Sequence, residues 1–189
     1  MTHVQLQQLQ KQLWNIANTL RGTMGADEFR DYILGFIFFK YLSEKSVNYA
    51  NHILEDEDVS FLTLDENNPE HVRYIEEIKK NAISEVGYAL TPKQLFHTLA
   101  QRGRQGEFIL DDLANTLKSI EQSTLGTDSA DDFVNLFEDL DLNSTKLGNN
   151  ATDRNELVAK VLSHLDDIDF DISNTEADVL GDAYEYLIG

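Results

Sequence analysis

The sequence predicts an all-α protein, a compact bundle of about seven or eight helices around a central apolar second helix. Three observations carry this prediction. Apolar residues recur at spacings of three and four along most of the chain, which is the period of an amphipathic helix. No segment sustains the alternation of apolar and polar residues that is typical of a half-buried strand. Only 2 of the 189 residues are proline, so few positions interrupt a helix.

The first two helices are predicted on either side of a turn that contains Gly22 and Gly25. The second begins near Asp27, an acidic residue suited to a helix N-terminus, and runs to about Leu54. Its middle is apolar on nearly every side, which favours the centre of a bundle, although a buried strand is an alternative for so aromatic a run. The first helix carries one apolar stripe: Leu6, Leu9, Leu13, Ile16 and Leu20.

Local start signals predict the helices in the rest of the chain. An acidic, irregular linker precedes them over residues 55–68, and its residues 59–64 are predicted to be a short extended piece. A capping side chain stands before a proline in Asn68-Pro69 and in Thr91-Pro92, and proline fits the first helical position. One predicted helix begins at each of these two pairs. A third covers about Ile109 to Glu121, and three more begin at Ser129, at Thr152 and near Thr175.

Length and composition limit the class of protein. A chain of 189 residues fits one domain, and we predict a helical domain over residues 1–170 with a terminal helix over residues 171–189. The chain has no cysteine, which excludes a disulfide scaffold and thiol catalysis and fits a reducing compartment. The longest nearly unbroken apolar stretch is Tyr32 to Phe39, far short of the about 20 residues that cross a membrane. A soluble, cytoplasmic protein is expected.

The charge is strongly acidic and unevenly distributed. The formal net charge is −19, from 15 basic and 34 acidic residues, yet residues 1–50 carry 5 basic and 4 acidic ones. Such a field repels a polyanion, so any DNA contact has to be confined to a local patch or supported by partner subunits. We therefore expect weak DNA binding by the chain alone.

The sequence contains no pattern of an active site. The five histidines lack metal-ligand spacing, and two acidic stretches that start like EF-hand loops have Ser144 and Ile172 where glycine is needed. Neither a phosphate-binding glycine loop nor a nucleophile elbow is present. We accordingly predict no catalytic, cofactor-binding or metal-binding residue in this chain.

Six residues are candidates for contact with DNA or a partner protein. Some lie near one edge of the first helix, where a lone tryptophan is more often a core residue than a recognition residue. Two arginines form a tight basic pair on a predicted loop, where a solvated loop is the commoner explanation. The candidates are Lys11, Trp14 and Arg21 of the first helix, Lys40 of the second, and the loop pair Arg102 and Arg104.

Four segments, in order along the chain, resemble the N-terminal part of the modification (DNA methyltransferase) subunits of type I restriction-modification systems. The longest is LWNIANTLRGTMGADEFRDYILGFIFFKYLSEK, residues 13–45, which matches the family's "IAN-x-LRG" and "FRDYIL…FKYLSE" patterns. The others are GYALTPKQLFHTLA, LGNNATDRNELVAKVL and LGDAYEYLIG, over residues 87–100, 147–162 and 180–189. Several separated segments in one order are more specific than any short motif.

The resemblance implies a non-catalytic helical domain that precedes an S-adenosylmethionine-binding α/β domain in the full-length subunit. That catalytic domain carries an N-P-P-[FY] motif, whereas here Asn68-Pro69 is followed by Glu70. Methylation of adenine N6 needs a groove for a flipped base and a cofactor pocket at strand ends, and an all-α chain supplies neither. We expect a shortened subunit that ends where the catalytic domain begins, with no cofactor of its own.

The resemblance also implies partners and a role. The partners are the specificity subunit, a second modification subunit, the restriction subunit of the full complex, and DNA. The role is to help close around DNA and to assemble with the specificity subunit of an N6-adenine DNA methyltransferase. The alternative, suggested by the charge, is a free-standing acidic helical DNA mimic that inhibits a DNA-binding enzyme.

Overall fold

A computed structural model describes residues 3–20, 22, 24–123, 137–138 and 140–168. These residues form six α-helices, two 3₁₀ turns and no β-strand, which confirms the all-α class with fewer helices than the predicted seven or eight. The helix predicted near Thr175 and the whole of residues 171–189 lie outside the described residues, as does most of the helix predicted at Ser129. The elements are α1 (His3–Leu20), α2 (Ala26–Ile53), the turn Phe61–Thr63, α3 (Pro69–Glu85), the turn Pro92–Gln94, α4 (Phe96–Arg104), α5 (Leu110–Ser123) and α6 (Ala151–Asp166).

The second helix lies at the centre of the bundle, as its apolar circumference predicts. It contacts α3, α4, α6 and the turn Phe61–Thr63, and its bounds fall within one residue of the predicted ones. The aromatic run is therefore helical, and the strand alternative is wrong. At its start the Glu28 carboxylate accepts a hydrogen bond from the Gly25 N–H at 3.1 Å. Among the described helices, none is both long and apolar enough to cross a membrane.

The core is built from apolar stripes on neighbouring helices. The stripe of α1 is buried from Leu9 onward and packs against α6, and α4 also packs closely against α6. Two hydrogen bonds to α2 hold the segment between α3 and α4 and the first residue of α4. The buried Tyr88 hydroxyl donates to the Leu42 carbonyl at 2.7 Å, and the Phe96 N–H donates to the Ser43 hydroxyl at 2.8 Å. These contacts place α4 beside the middle of α2.

The linker between α2 and α3 differs from the prediction. An extended piece over residues 59–64 is wrong, because Phe61–Thr63 form a 3₁₀ turn. The Phe61 ring is buried in the core, and its N–H donates to the Asn51 side chain at 2.8 Å. The contact with α2 bends the chain inward at this point.

The structure confirms only one of the two long helices that were predicted to begin at a proline. Asn68 caps α3 as predicted, since its side chain accepts a hydrogen bond from the Glu70 N–H at 3.0 Å. Thr91-Pro92 opens a 3₁₀ turn instead of a long helix, and the extended conformation of Leu95 separates that turn from α4. The capping residue of α6 is Asn150, two positions before the predicted Thr152.

A tyrosine joins the outer helix α3 to α2. The Tyr49 hydroxyl donates a hydrogen bond to the Glu85 carboxylate at 2.8 Å. Burial and this bond to a negative group raise the pKa of Tyr49 to about 12. The phenol therefore stays neutral, and able to donate, throughout the physiological range.

Candidate functional site

The structure brings two of the candidate contact residues together on the solvent side of α1. Lys11 and Trp14 are exposed neighbours on this helix, and the Trp14 side chain is 56% exposed. The core location that is commoner for a lone tryptophan does not apply here. The buried stripe of α1 lies on the opposite side of the helix. We define the α1 face as the exposed residues Val4, Gln7, Gln8, Lys11, Trp14 and Asn18.

The α1 face differs in charge from the rest of the protein. Residues 1–26 contain two of the 15 basic residues and none of the 34 acidic ones, so all of the acidic charge follows Gly25 and Ala26. The face therefore consists of amides, one lysine, one valine and one tryptophan. Depletion of charge around an aromatic residue is the composition of an interface core rather than of an ordinary solvated surface.

Lys40 does not belong to any surface. Its residue exposure is only 3%, its ammonium pairs with Glu44 one turn later, and it lies 5.7 Å from the centroid of the Phe96 ring. A buried lysine needs such a partner, since an isolated charge in the interior is very costly. Lys40 is therefore too deeply buried to contact DNA or a partner.

The basic pair Arg102 and Arg104 lies on the last turn of α4, so the predicted loop is wrong. The helix continues through Gly103, and the chain turns only at Gly106, which has a φ of +83°. Arg102 pairs with Asp112 at 2.8 Å and with Glu107 at 3.1 Å. The hydrogen bond to Asp112 is the main reason that the pKa of the Arg102 guanidinium lies above its ordinary value.

Arg104 clamps the C-terminal turn of α6. Its guanidinium donates to the Ser163 hydroxyl at 2.9 Å and to the Ser163 carbonyl at 3.0 Å. It also pairs with Asp166 at 2.8 Å and with Asp167 at 3.1 Å. The Asp166 side chain is only 6% exposed and lies 2.9 Å from His97 Nδ1 as well. Four contacts within one turn make this arginine a structural link between α4 and α6.

The same helix pair forms an open groove of about 490 Å³ between the end of α4 and α6. Its lining includes Gly103, Ala159 and the half-exposed Phe108. Asn155 is also part of its lining, and its side chain accepts a hydrogen bond from the Ile109 N–H at 2.8 Å and donates one to the Glu107 carbonyl at 3.0 Å. The polar groups Arg104 and Asn155 thus serve the packing of the helices.

Gly103→Ala is expected to destabilise the fold by about 1–2 kcal/mol, although alanine is the better helix former. A Cβ at this position would lie 2.9 Å from the Ala159 Cβ and 3.3 Å from Ile109 Cδ1, so α4 and α6 would have to separate. Chemical denaturation followed by circular dichroism measures the change.

The control for Gly103→Ala is Gln101→Ala, an exposed position on the same helix that should stay within about 0.5 kcal/mol of the wild type. Ala159→Gly removes the atom that the new methyl group meets. A double-mutant cycle should therefore show that Gly103→Ala costs less in the Ala159→Gly background. Equal costs in both backgrounds would contradict close packing at this crossing.

The remaining candidates fall partly outside the described residues. Arg21 lies outside them, as does Ile172 of the second acidic stretch that starts like an EF-hand loop. Within the described ranges, no group of three or more histidine, aspartate or glutamate side chains is placed to hold a metal ion. The contacts of Arg104 with Ser163, Asp166 and Asp167 join residues 59 to 63 positions apart, which no local pattern in the sequence predicts. The sequence did contain a signal for the α1 face, because no acidic residue precedes Asp27.

Comparison with known proteins gives a consistent family. The sequence model of the family named HsdM N-terminal domain matches residues 9–165 of this chain. The chain is 33% identical over 187 residues to the type I restriction enzyme MpnII methylase subunit of Mycoplasma pneumoniae, a match that covers 95% of this chain and 34% of that protein. A match of this identity and coverage carries information on family as well as fold.

A solved structure agrees with the sequence match. The crystal structure of the type I restriction-modification system methyltransferase subunit from Streptococcus thermophilus is similar with a TM-score of 0.75 and 37% identity. The similarity covers 97% of this chain and 38% of that one. The chain thus spans little more than a third of the length of either relative.

Proposed function

The chain belongs to the HsdM N-terminal domain family, and on that premise we propose that it acts as the non-catalytic helical domain of a type I N6-adenine DNA methyltransferase subunit. In this role the domain helps the subunit close around DNA and assemble with the specificity subunit and a second modification subunit. S-adenosylmethionine would be bound elsewhere in the full-length subunit, and the complex would act in the cytoplasm together with its restriction subunit.

The observation that carries the proposal is the acid-free α1 face in a chain of net charge −19. The acidic part of the surface repels the phosphates of DNA, which leaves the α1 face as the surface best suited to approach DNA or a partner. Amide side chains such as Gln7 and Asn18 can donate hydrogen bonds to phosphate oxygens or to protein carbonyls. Lys11 adds one positive charge.

The test places acids on this face in the reconstituted methyltransferase. The full-length subunit with Gln8→Glu and Asn18→Asp should methylate its duplex about ten-fold more slowly at limiting DNA, because two new negative charges face the DNA or the partner. Its binding of labelled S-adenosylmethionine should not change. The rate of transfer of the labelled methyl group is the measurement.

The matched control carries the same two chemical changes elsewhere, as Gln101→Glu on α4 and Asn115→Asp on α5, both exposed. This variant should methylate within about two-fold of the wild type. Equal rates for the two double variants would contradict the proposed role of the α1 face. Methyl transfer by the 189-residue chain alone would contradict the non-catalytic role.

A DNA mimic remains the second candidate because of the charge. The run Glu55 to Asp58 places four exposed carboxylates in succession along the chain. A mimic needs carboxylates arranged at about the spacing of duplex phosphates, and it would capture a nuclease or methyltransferase at the DNA site. The proposed domain would instead capture a specificity subunit, so identification of the captured protein separates the two.

A further inference from the structure

We infer that the open groove between the end of α4 and α6 binds a basic segment of a partner protein, with an apolar residue at the centre of that segment. The inference does not depend on the role proposed for the α1 face, since the described residues that line the groove belong to α4, α6 and the turn after α4. Phe108 lines it with a side chain that is about half exposed. Aromatic side chains are enriched at protein interfaces, where they supply a large contact area.

The shape of the groove suits a short stretch of polypeptide. Its lining on α6 extends from Thr152 to Ser163, which is about 16 Å of helix at a rise of about 1.5 Å per residue. About five residues of extended chain cover that distance. Gly103 of α4 lies against Ala159 of α6, and neither has a side chain beyond Cβ, so a partner side chain can enter the groove there.

Acidic residues outnumber basic ones in the two ion-pair groups beside the groove. Each group consists of one arginine and two carboxylates: Arg104 with Asp166 and Asp167, and Arg102 with Glu107 and Asp112. Arg104 is part of the lining, and Glu107 directly precedes Phe108. His97, which contacts Asp166, counts as neutral at pH 7. Each group therefore keeps one uncompensated negative charge.

The carboxylates of these groups are held in place and yet remain accessible. The side chains of Glu107, Asp112 and Asp167 are each about half exposed, and each is fixed by its arginine. An acceptor that is already fixed loses little conformational entropy when it accepts a further hydrogen bond from an ammonium or guanidinium group. The two groups therefore favour lysine or arginine side chains on either side of the partner's apolar residue.

The charges within the lining itself are balanced. Lys160 lies one turn after Glu156 on α6, and both line the groove, so their charges offset each other. The positive charge of Arg104 is offset by Asp166 and Asp167. An apolar residue of the partner therefore suits the centre of the groove, and basic residues suit its surroundings.

The same charges disfavour the other classes of occupant. The phosphates of DNA, or an acidic peptide, would meet uncompensated carboxylates beside the groove. A second copy of this chain would bring the same carboxylates against each other, in addition to its net charge of −19. A basic polypeptide is the class that the field of the chain attracts, and this attraction also speeds its encounter with the groove.

The first experiment follows the binding of synthetic peptides to the 189-residue chain by NMR. The basic probe is acetyl-KKLFLKK-amide. Acetyl-EELFLEE-amide reverses its charge, and acetyl-KKGSGKK-amide lacks its apolar centre. The backbone amide signals of Gly103 and Gly106 report on the groove, and that of Gly35, which packs against Leu140, reports on a site outside it.

The basic probe should shift the signals of Gly103 and Gly106 with a Kd of about 0.1 mM at about 0.05 M NaCl. Its binding should be about ten-fold weaker at about 0.5 M NaCl, because salt screens the attraction between exposed charges. Each of the other two peptides should bind about ten-fold more weakly than the basic probe at the lower salt concentration. The Gly35 signal should not move.

Charge variants distinguish the groove from the overall charge of the chain. Asp112→Asn with Asp167→Asn removes one acid from each ion-pair group and should weaken binding of the basic probe about ten-fold. Each arginine keeps one carboxylate, so the fold is retained, which circular dichroism verifies. Asp56→Asn with Asp58→Asn removes the same charge from exposed positions after α2 and should change the Kd by less than about two-fold.

An aromatic variant tests the apolar part of the site. Phe108→Ala should weaken binding of the basic probe about five-fold, because the apolar centre of the probe loses its contact with the ring. The matched control is Leu62→Ala, which removes an exposed apolar side chain from the turn Phe61–Thr63 and should leave the Kd unchanged. Equal affinity of Phe108→Ala and the wild type would overturn the inference.

The remaining outcomes also decide the matter. The inference fails if either control peptide binds as tightly as the basic probe, if the two double variants weaken binding equally, or if about 2 mM basic probe leaves the Gly103 and Gly106 signals unshifted. Shifts of these signals that require duplex DNA would assign the groove to nucleic acid, and shifts with protein concentration alone would assign it to a second copy. Either result would contradict a basic polypeptide as the occupant. Normal methylation by the acidic double variant of the α1 face would contradict the proposed function and leave this inference intact.

Discussion

Phe96→Ala is expected to lower the free energy of unfolding by about 3–5 kcal/mol. The ring is 1% exposed and lies 5.5 Å, centroid to centroid, from the ring of Phe39 in the central helix. Its face also lies beside the buried Lys40 ammonium. Truncation therefore leaves a cavity at the junction of α2 and α4 and removes a favourable neighbour of a buried charge.

Phe108→Ala is the matched control for that change. It removes the same atoms from a side chain that is 47% exposed, so we expect a loss below about 1 kcal/mol. Urea denaturation followed at 222 nm measures both variants against the wild type. Similar midpoints for the two variants would mean that Phe96 is not part of the core. If the unfolding free energy of Phe96→Ala depended on urea concentration with a different slope from that of the wild type, the unfolded or native ensemble would have changed instead.

Local sequence signals predicted the structure wherever the decisive interaction is itself local. Asn68-Pro69 starts α3 because the Asn68 side chain reaches an N–H only two residues further along the chain. The same type of signal at Thr91-Pro92 predicted too long a helix. There the buried Leu95 and the hydrogen bond from Phe96 to Ser43, 53 residues away, interrupt the helix after one turn. A contact over that distance leaves no trace in the local pattern.

Long-range packing also explains the errors in the candidate site. The loop predicted at Arg102 and Arg104 is wrong because Gly103 lies within α4, where its missing side chain allows α4 to approach Ala159 of α6. The burial of Lys40 could not be predicted, because α2 is apolar on nearly every side and its sequence does not show whether one polar side chain faces the core or the solvent. The location of Trp14, in contrast, was open to prediction, since its position does not match the stripe of Leu13 and Ile16.

Arg104→Ala is expected to destabilise the fold by about 2 kcal/mol, a loss second to that expected for Phe96→Ala. The change removes two contacts to Ser163 and the ion pairs to Asp166 and Asp167. Asp166 is left almost buried with His97 as its remaining partner, and an under-paired buried carboxylate is costly. Because the guanidinium is about one-third exposed, solvent reduces the loss below that of a fully buried pair.

Arg73→Ala, at an exposed position on α3, is the control and should change stability by less than about 0.5 kcal/mol. Arg104→Lys should recover only part of the loss, because a single ammonium cannot reach the hydroxyl, the carbonyl and both carboxylates together. A double-mutant cycle of Arg104→Ala with Asp166→Asn should show coupling of about 1 kcal/mol or more. If Arg104→Ala weakened DNA binding by the complex without any change in stability, the arginine would be a contact residue after all. The contacts of its guanidinium with Ser163, Asp166 and Asp167 instead make its positive charge unavailable to a phosphate. The basic pair at the end of α4 therefore joins this helix to α5 and α6, and the acid-free face of α1 is the surface that we propose for partners.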